Sequence, residues 1–153
     1  MMVPSLPPID QLVIHRGTML LLDRLLEANE NSAVAEVVIS SASPFWRAGH
    51  GVPAYVGLEY MAQTIAAFDG ALRLETGAEP SIGFLLGSRR YSSKERYFTD
   101  GMRLKVHAKM AFSDGGMASF DCVIRSDEAE LVSASLNVYR PENGEMTMVE
   151  DHA

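Results

Sequence analysis

Between residues 102 and 110 apolar and polar side chains alternate without a break: Met102, Leu104, Val106, Ala108 and Met110 are separated by Arg103, Lys105, His107 and Lys109. A period of two sends one set to a core and the other to water, which predicts a half-buried strand. Ser113-Asp114-Gly115-Gly116 predicts a tight turn, and Ala118, Phe120, Cys122 and Ile124, alternating with Ser119, Asp121 and Arg125, predict the returning strand. A turn near Asp127 and Glu128 leads into another strand over 131–139, and residues 82–91 predict one more ahead of this group. Near the start, an apolar run from Met19, the turn cluster Asn29-Glu30-Asn31-Ser32 and the β-branched stretch 33–39 predict a hairpin.

Between hairpin and strands the period of two disappears. Residues 54–74 form an apolar run with Ala62, Ile65, Ala66, Ala67 and Phe68 on nearly every side of a helix. Pro53 suits its first position, where an amide hydrogen would lack a partner, and Gly77 closes it. Two strands, one long helix and four strands predict an α+β fold. A curved antiparallel sheet of about six strands wraps the helix, because a flat sheet would leave part of it uncovered. The 153 residues suit a single domain. Residues 1–14 form a proline-rich N-terminal segment with one short helical turn over 10–13, and 141–153 form a polar, frayed tail.

A formal charge of −7 argues against a nucleic-acid binder, which needs a basic face. Arg89, Arg90, Lys94 and Arg96 break the acidic trend; they are either a solvated loop or a surface for an anionic partner. Cys122 alternates with polar neighbours and is expected in the core. No apolar run reaches membrane-spanning length and the N-terminus has no signal-peptide pattern, so a cytoplasmic location is expected, with no membrane contact. His15, His50, His107 and His152 lie far apart, without metal-ligand spacing. His107 falls on the charged face of its strand, where it is expected to be solvated. A nucleophile elbow and a phosphate-binding loop are both absent from the sequence.

The chemistry concentrates in Phe45-Trp46-Arg47-Ala48-Gly49-His50-Gly51-Val52-Pro53 and in Glu59, the acid early in the apolar helix. Glu59 either sits on a solvent face, pairs with a base, or is used, since a buried carboxylate is costly unless one of these holds. His50 is either an ordinary loop residue or the base that complements it. A histidine outside a helix and an acid within its first turns are the two groups that acid/base chemistry on an apolar substrate requires.

Three segments together resemble the hot-dog-fold 3-hydroxyacyl-(acyl carrier protein) dehydratases. They are His15-Arg16-Gly17-Thr18-Met19-Leu20-Leu21-Leu22-Asp23-Arg24; Pro53-Ala54-Tyr55-Val56-Gly57-Leu58-Glu59-Tyr60-Met61-Ala62-Gln63; and Leu86-Gly87-Ser88-Arg89-Arg90-Tyr91 with Phe98-Thr99-Asp100-Gly101. The wording of the second and third is similar to the dehydratase-like proteins associated with aryl polyene biosynthesis. The resemblance implies dehydration of a 3-hydroxyacyl thioester to the trans-2-enoyl product, without metal or redox cofactor. His50 is then the base and Glu59 the acid that helps expel the 3-hydroxyl. Ala54, Tyr55, Gly57 and Gln63 are implied in substrate binding, with the Ala54 amide polarising the thioester oxygen and Ala54 replacing the family's usual glycine. His15 is implied as a structural residue. Only Gly51 and Val52 separate His50 from Pro53, a shorter loop than the family's. Acyl carrier protein is the implied partner, meeting Arg89, Arg90, Lys94 and Arg96. Two hot-dog subunits complete each site, so a homodimer or a heterodimer with a paralogous subunit is expected. Two other readings remain: a non-catalytic subunit that supports a paralogous dehydratase, and an acyl thioesterase on the same fold.

Overall fold

The structure is a computed structural model that describes residues 20–75, 77 and 84–139. The expected N-terminal helical turn, His15 with most of its motif, the first residues of the strand expected from 82, His152 and the tail lie outside the described residues. Strands β1 (Arg24–Ala28) and β2 (Ser32–Val38) form the predicted hairpin, and β3 (Val52–Pro53) leads through a 3-10 turn (Ala54–Val56) into helix α1 (Gly57–Glu75). Then follow β4 (Phe84–Ser93), β5 (Tyr97–Phe98), β6 (Arg103–Asp114), β7 (Met117–Ser126) and β8 (Ala129–Tyr139). Six strands form one antiparallel sheet in the order β1-β2-β6-β7-β8-β4, and β3 pairs with β5 separately. This is the hot-dog architecture, with α1 packed against the sheet.

The alternation seen in the sequence is the register observed. Leu104, Val106 and Ala108 of β6 are buried, as are Phe120, Cys122 and Ile124 of β7 and Val132, Ala134 and Leu136 of β8. Pairing lines up Ala33, Ala108, Cys122 and Ala134 across four strands. Small side chains in this row let the helix lie close to the sheet, while Phe68 of α1 meets Phe120 edge-on at 5.6 Å between ring centroids.

The turns carry the residues their geometry demands. Asn29 Oδ1 accepts the amides of Asn31 and Ser32, closing the β1–β2 turn with its side chain. Gly115 and Gly116 both have positive φ, as a two-residue hairpin turn requires. Asp23, from the N-terminal motif, ties the start of β1 to β2: its carboxylate accepts the Val38 amide and its own amide donates to the Glu36 carbonyl.

Two features differ from the sequence expectation. The short pair β3–β5 is absent from it, because two residues per strand leave no periodicity to detect. Pro53 pairs in that strand and caps a 3-10 turn, so α1 begins at Gly57 and not at residue 54. At its far end Gly77, at φ +85°, donates its amide to the Leu74 carbonyl, the closure expected.

Glu36 is buried to 4% exposure on β2, yet it accepts Arg24 Nε at 2.8 Å and Arg103 Nη1 at 3.2 Å. Burial pushes its carboxyl upward, but bonds and charge from the two arginines outweigh this and hold it below the ordinary value of 4.5. A depressed folded pKa contributes stability above the unfolded value, and that contribution is lost as pH falls through the folded one. Glu36→Gln is therefore expected to lower the urea midpoint at neutral pH, with the gap to wild type closing in acid below the carboxylate range. A gap that stays constant with pH would show that the carboxylate charge is not what matters.

Candidate functional site

The start of α1 gathers half of the candidate residues: Ala54, Tyr55, Gly57, Glu59 and Gln63. α1 buries Tyr60, Met61, Gln63, Thr64, Ile65, Ala67, Phe68 and Ala71, and on the opposite face Leu58, Glu59, Ala62, Ala66, Asp69 and Arg73 are half-buried. Polar groups on such a helix need partners within the protein. Thr64 donates its hydroxyl to the Tyr60 carbonyl. Gln63, at 0% exposure, accepts the Leu21 amide on Oε1 at 2.8 Å and donates Nε2 to Glu59 Oε2 at 3.1 Å.

That relay gives Gln63 a structural role as well as the one expected. Both ends of its amide meet groups of the protein, one of them the Glu59 carboxylate. The Leu21 amide decides which way the Gln63 amide points, and a donor therefore faces Glu59.

His50 stands on a closed loop. Arg47 and Gly51 exchange amide bonds at 2.8 and 2.9 Å, and the His50 amide donates to the Arg47 carbonyl at 3.0 Å. Gly49 and Gly51 take φ of +80° and +122°, and a Cβ at Gly51 would overlap the Phe98 carbonyl oxygen. The loop is short because it is tied. His50 is exposed, and its ring stacks on Tyr97 at 4.9 Å with planes 21° apart. Phe45 sits on the same loop at φ +68° and is 55% exposed.

The pair β3–β5 carries this loop and the helix start together. Val52 pairs with Phe98 and Pro53 with Tyr97, and the Arg96 carbonyl accepts the Ala54 amide at 2.9 Å. The Ala54 amide, expected to polarise a thioester oxygen, is engaged here by a carbonyl of its own chain. Tyr55 is exposed, with its hydroxyl accepting Arg47 Nη2 at 2.8 Å. Gly57 is buried where a Cβ would lie 2.5 Å from the Tyr91 hydroxyl and 2.9 Å from Ile124, so the packing of this chain accounts for it without a substrate. Tyr91 ends one of the sequence motifs, where nothing in the residue order assigns it a role; its hydroxyl donates to the Ala54 carbonyl at 2.6 Å.

Arg89, Arg90, Lys94 and Arg96 are all exposed, on β4 and the segment that follows it. Cys122 is buried, and burial with the Asp121 charge pushes its thiol up to about 12, which excludes a thiolate nucleophile at neutral pH. His107 is half-buried, contrary to the expected solvated position. Burial, with Arg125 and Lys105 adding and Glu27 opposing, holds its imidazole below the ordinary value. Among the described residues no group of three or more His, Cys, Asp or Glu side chains is arranged to hold a metal ion, and no helix is long and apolar enough to cross a membrane.

Comparison with known proteins adds the following. The family model described as ApeP-like, ApeP dehydratase, matches residues 7–149. No curated protein matches the chain. The dehydratase heterocomplex ApeI:P from Xenorhabdus doucetiae is similar with a TM-score of 0.87 and 29% identity, over 95% of this chain and 98% of that one. A hypothetical thioesterase with coenzyme A from Streptococcus pneumoniae TIGR4 has a TM-score of 0.62 at 9% identity, over 76% of this chain and 84% of that one. The E. coli PaaI protein has 0.59 at 10%, over 76% and 81%. These last two share the fold alone.

Gln63→Leu is expected to destabilise the protein by about 1–3 kcal/mol, since the hydrocarbon fills the space but leaves the Leu21 amide without its acceptor. Chemical denaturation checks this. An unchanged midpoint would mean that the Leu21–Gln63 bond contributes nothing measurable.

Proposed function

The chain belongs to the ApeP-like dehydratase family, and on that footing we propose that it eliminates water from a 3-hydroxyacyl thioester borne by acyl carrier protein, as one of two paired hot-dog subunits. The observation that carries the reading is Glu59, a half-buried carboxylate beside Leu58, Ala62 and Ala66 on α1, bonded to a fully buried glutamine. A positioned acid of this kind is what protonation of a departing hydroxyl requires.

In the proposed reaction His50 removes the proton on the carbon next to the thioester carbonyl. The electron pair left behind forms the carbon–carbon double bond, and the 3-hydroxyl departs as water with a proton from Glu59. The product is the trans-2-enoyl thioester, and no electrons are exchanged with a cofactor. The tied loop favours His50 for this work because a base must stay within about 3 Å of the proton it takes. With the Ala54 amide engaged by Arg96, polarisation of the thioester oxygen falls to another donor.

Exposed Arg89, Arg90, Lys94 and Arg96 give a locally basic surface on an acidic chain, suited to steering an acidic carrier. Pairing with a second, non-identical hot-dog chain is supported by likeness along nearly the whole chain to a protein described as a dehydratase heterocomplex. A second reading, a subunit that supports a catalytic paralogue without completing a site of its own, is favoured by the engaged Ala54 amide. The thioesterase reading has fold likeness as its support.

The test is conversion of 3-hydroxyacyl to enoyl thioester on acyl carrier protein, measured for the purified chain and for its complex with a paralogous hot-dog subunit. Glu59→Gln and His50→Ala are each expected to lower kcat by about 100-fold or more while the fold is retained. A complex whose rate is unchanged by both variants would leave this chain as the supporting subunit. Release of free thiol in place of enoyl product would identify a thioesterase.

A further inference from the structure

Helix α1 is met at its start by a side chain from the sheet. Arg89 pairs with Ser135 and Ser92 with Ser133, so Arg90 and Tyr91 together face the single residue Ala134 of β8. This is a β-bulge, and Arg90 takes the left-handed φ of +57° within it. In a regular strand Tyr91 would share the outward face of the exposed Arg89. The extra residue reverses that parity and turns Tyr91 toward the helix, opposite buried Ala134.

There the hydroxyl bridges the sheet to the helix start. It donates to the Ala54 carbonyl at 2.6 Å, and the Leu58 amide lies near enough to act on its acidity. Ala54 and Leu58 are residues i and i+4, the pair that would bond to each other directly in an unbroken α-helix. The Ala54 carbonyl that takes the hydroxyl also takes the Gly57 amide, the bond of a 3-10 turn over Ala54–Val56. Burial pushes the Tyr91 phenol up to about 12, opposed only by the Leu58 amide, so the donor keeps its proton across the ordinary pH range. Gly57 completes the device: its φ is an ordinary helical −57°, but a Cβ would lie 2.5 Å from the Tyr91 oxygen. The glycine is there for space and not for backbone freedom.

We propose that Tyr91 is the positioning residue for Glu59. By holding the Ala54 carbonyl and packing over Gly57, two residues before Glu59, it sets the height and rotation at which α1 presents the carboxylate, and Gly57 provides the room. The proposal rests on Glu59 serving as the acid.

The test uses Tyr91→Phe, which keeps the ring and removes the bridge, in the active complex. Hydrogen exchange at the Gly57 amide, which shares the Ala54 carbonyl, is expected to speed up by about tenfold, the factor that one ordinary hydrogen bond is worth. The turnover number kcat is expected to fall about tenfold or more with KM nearly unchanged, as for a displaced catalytic group. Gly57→Ala is expected to damage the wild-type protein more than it damages the Tyr91→Phe variant, a coupling that a merely structural site without the hydroxyl contact would not produce. If Glu59→Gln abolishes activity while Tyr91→Phe has wild-type kcat, the positioning role is wrong. If Glu59→Gln itself is fully active, the reading of Glu59 has failed, and unchanged Gly57 exchange would separately remove the bridge.

Discussion

Every other feature of this molecule answers to the apolar circumference of α1. A helix buried over most of its faces cannot turn its few polar groups to water, so each must be met by something brought to it. Thr64 folds back onto its own helix, Gln63 is met by the Leu21 backbone, and the first turn is met by Tyr91 from β4 and by the Arg96 carbonyl. The sheet supplies the apolar cover, with the small row Ala33, Ala108, Cys122 and Ala134 admitting the helix closely. Glu59 inherits its fixed geometry from this constraint: it is oriented because the amide beside it had to be satisfied.

The same logic explains the irregularities. Bulges and left-handed residues are costly and persist where surrounding structure demands them. The bulge at Arg90 is repaid by the Tyr91 bridge, and the glycines at positions 49 and 51 allow a loop that exchanges backbone bonds across Arg47 and Gly51. The bulge at Arg90 and the left-handed residues of the His50 loop lie beside the helix start. The long central strands β6, β7 and β8 pair with one another through hairpins with a single register shift each.

Elements with many periods are legible from residue order alone. The alternation through 102–110 and 118–124 predicts β6 and β7, and the apolar run after Pro53 predicts α1, because repeated burial leaves a repeated signature. The pair β3–β5 leaves none, since Val52–Pro53 and Tyr97–Phe98 are too short to repeat. The parity of Tyr91 is hidden for a related reason: a bulge adds a residue without changing composition, so counting alternate positions from Arg89 places Tyr91 on the wrong face. Glu59 stands out because an acid in an apolar helix is conspicuous. The role of Ala54 came from resemblance, and a motif records which residue stands at a position but not what its amide is bonded to.

The engaged Ala54 amide bears directly on how labour is divided in a pair. An elimination site needs a base, an acid and a donor for the oxygen that gains charge, and the donor's contribution depends on its being unoccupied when charge develops. Here the Glu59 carboxylate is bonded to Gln63 and the His50 loop is tied, whereas the Ala54 amide faces a carbonyl of its own chain. Releasing it would break the Ala54–Arg96 link between the helix start and the segment that continues into Tyr97, on which His50 stacks. The bond that engages the Ala54 amide thus also holds the segment whose Tyr97 ring carries His50. On the proposed reading, such a chain would act beside a second subunit that brings its own donor.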